Sequence, residues 1–137
     1  MAQSQPRELG HDGLGEHIGI EYLEVGPEVV RVRAAVTDGI RQQYGIVHGG
    51  AYSAIAESIC SAGTALGVMS EGKLAIGQSN NATFLRPIAD GHVNVTARPR
   101  HRGRTTWVWD VEITDDSDHL CALVRATIAV RAADQSR

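Results

Sequence analysis

One segment constrains this chain more than any other. From Gly49 to about Met69 the sequence is rich in alanine and other small residues, with Ile55, Ile59 and Leu66 interspersed and Glu57 as its single charge. Length and composition predict a helix rather than a strand. The segment is apolar nearly all round, so such a helix is expected to be buried on most sides. Gly72 helps to end it.

The flanking sequence alternates instead. Ile20 to Val25 reads as a strand, and Gly26-Pro27-Glu28 marks a turn. Val30, Val32, Ala34 and Val36 then share one face, with Arg31 and Arg33 on the other. Residues 37–48 read as a loop. Leu74 to Leu85 is a strand closed by Arg86-Pro87. Val93, Val95 and Ala97 alternate with polar residues, and Trp107, Trp109, Val111 and Ile113 share a face. After a turn at Asp115-Asp116-Ser117-Asp118, Leu120, Ala122, Val124, Ala126, Ile128 and Val130 form the last buried face. The order is β-β-α-β-β-β-β. An antiparallel sheet must bury one face, and one long helix fills a sheet that curls around it. The expected class is α+β.

With 137 residues, one domain is expected: a flexible segment 1–17, a domain 18–131 and a tail 132–137. Aromatic residues are only 4%, so the core must be built from Val, Ile, Leu and Ala. The net charge of −3 argues against a primary nucleic-acid binder. Met1 to Asp12 is polar, so no signal peptide is expected, and no apolar run reaches the ~20 residues a bilayer requires. Cys60 and Cys121 have no metal spacing, and the six histidines are scattered. The expectation is a soluble cytoplasmic protein with no metal, no cofactor, and no membrane or nucleic-acid partner.

A lone carboxylate in an apolar helix either faces a gap or finds a partner, or it serves chemistry that uses its environment. The sequence just upstream bears on that choice. His48 precedes Gly49-Gly50, which open the helix, and a helix N-terminus carries free N–H groups and a positive dipole end. Such an end can stabilise charge developing on a carbonyl oxygen during acyl transfer. Glu57 lies seven residues beyond Gly50, about 10 Å along the axis. One carbonyl cannot touch both within a single chain. If both act on one substrate they come from different chains, in a two-fold dimer with antiparallel helices.

The run Gln42-Gln43-Tyr44-Gly45-Ile46-Val47-His48-Gly49-Gly50, followed by Ala56-Glu57 and Ser61, resembles the hotdog-fold thioesterases. It is most similar to the phenylacetate-pathway (PaaI-like) group that includes the Arthrobacter-type 4-hydroxybenzoyl-CoA thioesterases. Phe84-Leu85-Arg86-Pro87 and Gly103-Arg104-Thr105 also fit. The resemblance spans about residues 18–131 and implies a sheet wrapped around one central helix, acting on an acyl-CoA. It implies Glu57 as nucleophile or general base, and the N–H of Gly49 or Gly50 as carbonyl polariser. His48 and Gln42 would position the thioester or water, and Ser61 would orient water or the carboxylate. Arg86, Gly103, Arg104 and Thr105 become candidates for binding substrate. Homodimers, often paired into homotetramers, are implied, and no metal.

Arg98, Arg100, His101, Arg102 and Arg104 cluster around an expected turn at Gly103. In an acidic chain this patch suits the phosphates of coenzyme A. Gln78-Ser79-Asn80-Asn81 interrupts the strand Leu74–Leu85. Alternation would send two of these four toward the helix. Either their amides bond backbone, or Asn81 and Thr83 line the acyl site. The rivals to an acyl-CoA thioesterase are a non-catalytic acyl-CoA-binding or regulatory hotdog module, against which Glu57 argues, and a hotdog hydratase or dehydratase, for which no matching segment is present.

Overall fold

The computed structural model describes residues 12–133. Among the described residues, two α-helices and six strands follow in the order α1 (Gly13–Ile18), β1 (Glu21–Val25), β2 (Val30–Ala35), α2 (Gly49–Val68), β3 (Lys73–Phe84), β4 (His92–Arg102), β5 (Thr106–Thr114) and β6 (Leu120–Ala132). The strands form one antiparallel sheet in the order β1-β2-β4-β5-β6-β3. The hotdog architecture expected from the sequence is present: a curled sheet around one long helix. The edges are β1 and the twelve-residue β3.

The period-two patterns explain which face curls inward. Val30, Val32 and Ala34 of β2, Val93, Val95 and Ala97 of β4, and Trp109, Val111 and Ile113 of β5 are all buried against α2. The helix meets them with Ile55, Ala56, Ile59 and Cys60. Its glycines are spaced for two tryptophans. A Cβ at Gly63 would come within 2.6 Å of the Trp109 ring, and one at Gly67 within 2.4 Å of Trp107. The two indoles lie 6.1 Å apart. Glycine is therefore required at both positions by close packing rather than by backbone conformation.

The buried polar groups near this contact satisfy one another. Trp109 Nε1–H donates to Thr64 Oγ1 at 2.8 Å, and the Thr64 hydroxyl donates to the Cys60 carbonyl at 2.8 Å. Thr64→Val keeps the volume and strands the indole N–H. An unmade buried donor costs about 1–3 kcal/mol. The urea midpoint should fall accordingly at fixed protein concentration. An unchanged midpoint would mean that Trp109 finds another acceptor.

Two expectations need correcting, and a third needs sharpening. Helix α1, Gly13–Ile18, takes up the end of the flexible segment 1–17 and the first domain residue; it buries Gly15 and Ile18, and the Ser58 hydroxyl donates to the Asp12 carboxylate. The rest of that segment, 1–11, lies outside the described residues, as does 134–137 of the tail. Second, β4 runs to Arg102, so Arg98, Arg100, His101 and Arg102 lie on a strand rather than a turn. A register shift between Pro99 and His101 lets the ladder continue past the proline. Third, α2 is not covered all round. Gly50 and Glu57 are exposed, and Ser53, Ala54, Ser61 and Ala65 are half-buried along the same side. Alanine and serine read alike on covered and open faces, so composition concealed this stripe.

Candidate active site

The loop before α2 is a tightly bonded unit. Gln42 N–H donates to Ile46 O at 2.8 Å, and its carbonyl accepts from Gly45 N–H at 3.0 Å. Gly45 has φ +84°, which favours glycine there. The Gln42 Oε1 accepts from the Tyr44 N–H, leaving the side-chain NH2 as a donor. His48 N–H donates to Ile40 O, and Val47 N–H to Ile88 O, each at 2.8 Å. The segment carrying Arg86 and Pro87 therefore runs beside this loop. Arg86 itself is exposed.

His48 is the N-cap of α2. Its Nδ1 accepts the Gly50 N–H at 2.8 Å. In the neutral ring the proton therefore sits on Nε2, which is left as a donor. The same bond distinguishes the two glycines. The Gly50 N–H is occupied by its own cap, whereas the Gly49 N–H has no partner among the described residues. A Cβ at Gly49 would meet the Phe84 ring at 2.6 Å, so glycine is what allows this half-exposed aromatic to lie over the helix start. Phe84 in turn packs on Tyr52, with ring centroids 5.8 Å apart. Burial pushes the Tyr52 phenol up to about 12, with proximity to Cys121 adding to the effect. Tyr52 is thus held neutral beside the helix start. Gln42, Gln43, Tyr44, His48 and Gly49 line one open depression.

Glu57 and Ser61 are placed elsewhere. Glu57 is eight residues beyond Gly49, about 12 Å along the axis. It is exposed and has no hydrogen bond or ion pair among the described residues. Of the alternatives open for this carboxylate, its place fits the one that faces a gap: it projects from the uncovered stripe. Its side chain lies against Gly77 of β3. Ser61 follows one turn later on the same side, half-buried.

The polar run on β3 divides between two faces. The register with β6 shifts between Gly77 and Ser79. Beyond the shift, Asn80 pairs with buried Ala126 and donates its amide to the Ser53 carbonyl of α2 at 2.9 Å. Asn81 and Thr83 pair with exposed Arg125 and Leu123 and border a groove with Asp110 and Glu112 on the outer face. They therefore stand on the opposite side of the sheet from Glu57 and Gly49, not beside them. Uniform alternation could not anticipate this, because the bulge resets the phase.

The basic stretch also divides. Arg100 pairs with Asp110 at 3.3 Å, and Arg102 lies 5.9 Å over the Trp107 ring. Arg104 is exposed on the β4–β5 turn, where Gly103 N–H donates to Thr106 O at 2.9 Å. The Thr105 carbonyl is occupied by Val130 N–H at 2.9 Å and by Arg131 at 3.0 Å. Arg104 shares a surface depression with Lys73, Arg102 and Gly67, at the C-terminal end of α2. The sequence-selected residues thus form three groups: the helix start, the Glu57 face, and the Arg104 turn. The sequence reading passed over Gly77; it named Asn80 in the polar run and Phe84 in a motif, but the neighbours of all three come only from the sheet topology.

Residues 44–122 match the family model of the thioesterase superfamily. The chain belongs to that superfamily. Relatives of this thioesterase include a 1,4-dihydroxy-2-naphthoyl-CoA hydrolase of Listeria monocytogenes. It is 36% identical over 119 residues, covering 87% of this chain and 96% of that protein. Among solved structures, a Haemophilus influenzae thioesterase superposes with a TM-score of 0.84 at 32% identity, covering 90% of this chain and 86% of that one. A Staphylococcus aureus thioesterase superposes with a TM-score of 0.84 at 32% identity, covering 88% and 99%. The chain is a thioester hydrolase of hotdog fold. No described helix of this thioesterase is long and apolar enough to cross a membrane.

Proposed function

We propose that this thioesterase hydrolyses an acyl-CoA to the free acid and coenzyme A at a site built from two copies of the chain. The observation that carries this reading is the division of the polar groups. An unpartnered N–H and the His48 Nε2 donor stand at the helix start, while an unpartnered carboxylate stands about 12 Å away on the same helix. Two helices running antiparallel, each offering its uncovered stripe of small residues, bring Glu57 of one copy to Gly49 of the other. The open β3 edge offers a twelve-residue ladder for the same pairing. In this homodimer the Gly49 N–H polarises the thioester carbonyl, with His48 and Gln42 as neighbouring donors. Glu57 either takes a proton from the attacking water or attacks the carbonyl carbon itself. In both cases the C–S bond breaks, the thiolate leaves and takes a proton, and water supplies the oxygen of the acid. Ser61, one turn from Glu57, orients that water.

Solved variants of the Staphylococcus aureus relative replace a glutamine and a glutamate fifteen residues apart, the spacing of Gln42 and Glu57 here. Pairing of two dimers through the outer face, where Leu74, Ile76 and Leu123 are exposed, gives the homotetramer. The free, buried Cys60 and Cys121 fit a reducing cytoplasm.

Arg104 belongs to the nucleotide end. From Glu57 to Gly67, beside the Arg104 turn, is ten residues, about 15 Å. A flexible CoA arm bridges a separation of that order between thioester and phosphates. Arg104→Ala should raise KM about 10- to 100-fold, the cost of one charge-assisted hydrogen bond, and leave kcat nearly unchanged. Thiol release from short, medium, long and aromatic acyl-CoAs tests the activity. A short acyl thioester without the nucleotide is the control that Arg104→Ala should not affect. Tight acyl-CoA binding without thiol release across the series would identify a binding module instead. Equal loss of kcat on both substrates would place Arg104 in the catalytic machinery.

A further inference from the structure

The edge strand β3 does more than close the sheet: four of its residues meet the side of α2 that carries the site. Gly77 lies beneath Glu57. A Cβ on Gly77 would stand 2.9 Å from Glu57 Cδ and 3.0 Å from both Cγ and Oε1. The carboxylate therefore rests on a bare Cα. Asn80 donates to the Ser53 carbonyl at 2.9 Å. In an α-helix that carbonyl is also the acceptor for the N–H four residues on, which is Glu57's own. Ala82 pairs with buried Val124 in the same register, and Phe84 ends the row against Gly49.

The register shift at Gln78 is what makes this row possible. With uninterrupted alternation from Gly77, Ser79 and Asn81 would face the helix and Asn80 would face outward. The extra residue reverses the phase, so that Gly77 and Asn80 both face α2. A bulge beside a functional group that re-aims a side chain is a familiar use of this irregularity.

We infer that the Gly77–Asn80 segment of β3 is a positioning device for the Glu57 carboxylate. Gly77 supplies the space, and Asn80 fixes the helical turn from which Glu57 projects. Neither touches the reacting atoms, and neither uses up a carboxylate oxygen, so both oxygens stay available to water or substrate. The inference rests on the catalytic reading of Glu57 given above.

The geometry makes the test selective. The atoms that a Cβ at 77 would meet are the end of a flexible, exposed side chain, and Gly77 is not at positive φ. Gly77→Ala should therefore fold and assemble as the parent does while displacing the carboxylate. Misplacement of a reacting group by about 1 Å can cost up to ~100-fold in rate. Gly77→Ala, assayed on its assembled fraction with one acyl-CoA, should lose at least about 10-fold in kcat with KM changed by less than about 3-fold. In a Glu57→Gln background the same substitution should change the residual rate by less than about 2-fold, because it acts only through the carboxylate. Asn80→Ala provides the second variant. It should lower kcat several-fold at constant KM and be equally silent in the Glu57→Gln background. Full kcat in both Gly77→Ala and Asn80→Ala, with Glu57→Gln crippled, overturns the positioning role alone. Additive losses in the Glu57→Gln background overturn it too, by revealing a general structural effect. Full activity of Glu57→Gln instead removes the catalytic reading of Glu57, and the inference falls with it.

Discussion

Glu57→Gln will lower kcat by at least about 100-fold while leaving the denaturation midpoint where it was. The first half follows from the size of essential acid–base effects, typically 100- to 10,000-fold. The second half follows from the structure. Glu57 is exposed, makes no hydrogen bond or ion pair among the described residues, and lies against the bare Gly77 of β3. Its amide is nearly isosteric and retains that contact, so the substitution removes the charge alone. A structural carboxylate would behave in the opposite way, with stability lost and turnover spared. Steady-state kinetics and urea unfolding on the same preparation separate the two outcomes. Undiminished turnover by purified Glu57→Gln would remove this residue from the mechanism.

The element order was legible because each strand alternates and α2 does not. Trp107, Trp109, Val111 and Ile113 cannot share a face except on a strand, and a twenty-residue segment with alanine throughout has no such period. Less legible was anything decided by contacts between distant segments. Sequence order gives no hint that β3 lies at the sheet edge beyond β6, so Gly77 looked like an ordinary strand glycine rather than the surface on which Glu57 rests. The polar run Gln78–Asn81 was visible as an anomaly, but its resolution required the bulge. Likewise the motif around His48 identified Gly49 and Gly50 as a pair, and only the cap hydrogen bond showed that their N–H groups differ. Which side of α2 stays open, and so where Glu57 faces, was hidden for a related reason. A helix of small apolar residues can be buried by its own sheet or left open along one side, and the sequence reads the same.

That open side motivates the second large effect. Mixing a Glu57→Ala chain with a His48→Ala chain should restore activity that neither has alone. In the proposed homodimer each site takes its carboxylate from one copy and its helix start from the other. A heterodimer then holds one site with both defects and one with neither. Random reassortment of equal amounts gives half heterodimers, each with one intact site of two, so about a quarter of parental activity should return. His48→Ala suits the second chain because it removes the Nε2 donor and the cap on Gly50 while leaving Glu57, Gly77 and the β3 edge untouched. The loss of a cap costs about 1 kcal/mol, which a helix packed along its length tolerates. Differently tagged chains, refolded together and purified through both tags, supply verified heterodimers. Recovery that rises with heterodimer content and is absent from either homodimer fits a site shared across the two-fold axis. Inactive heterodimers would mean that Glu57 and the helix start serve different substrates or different roles, since about 12 Å of helix separates them within one chain.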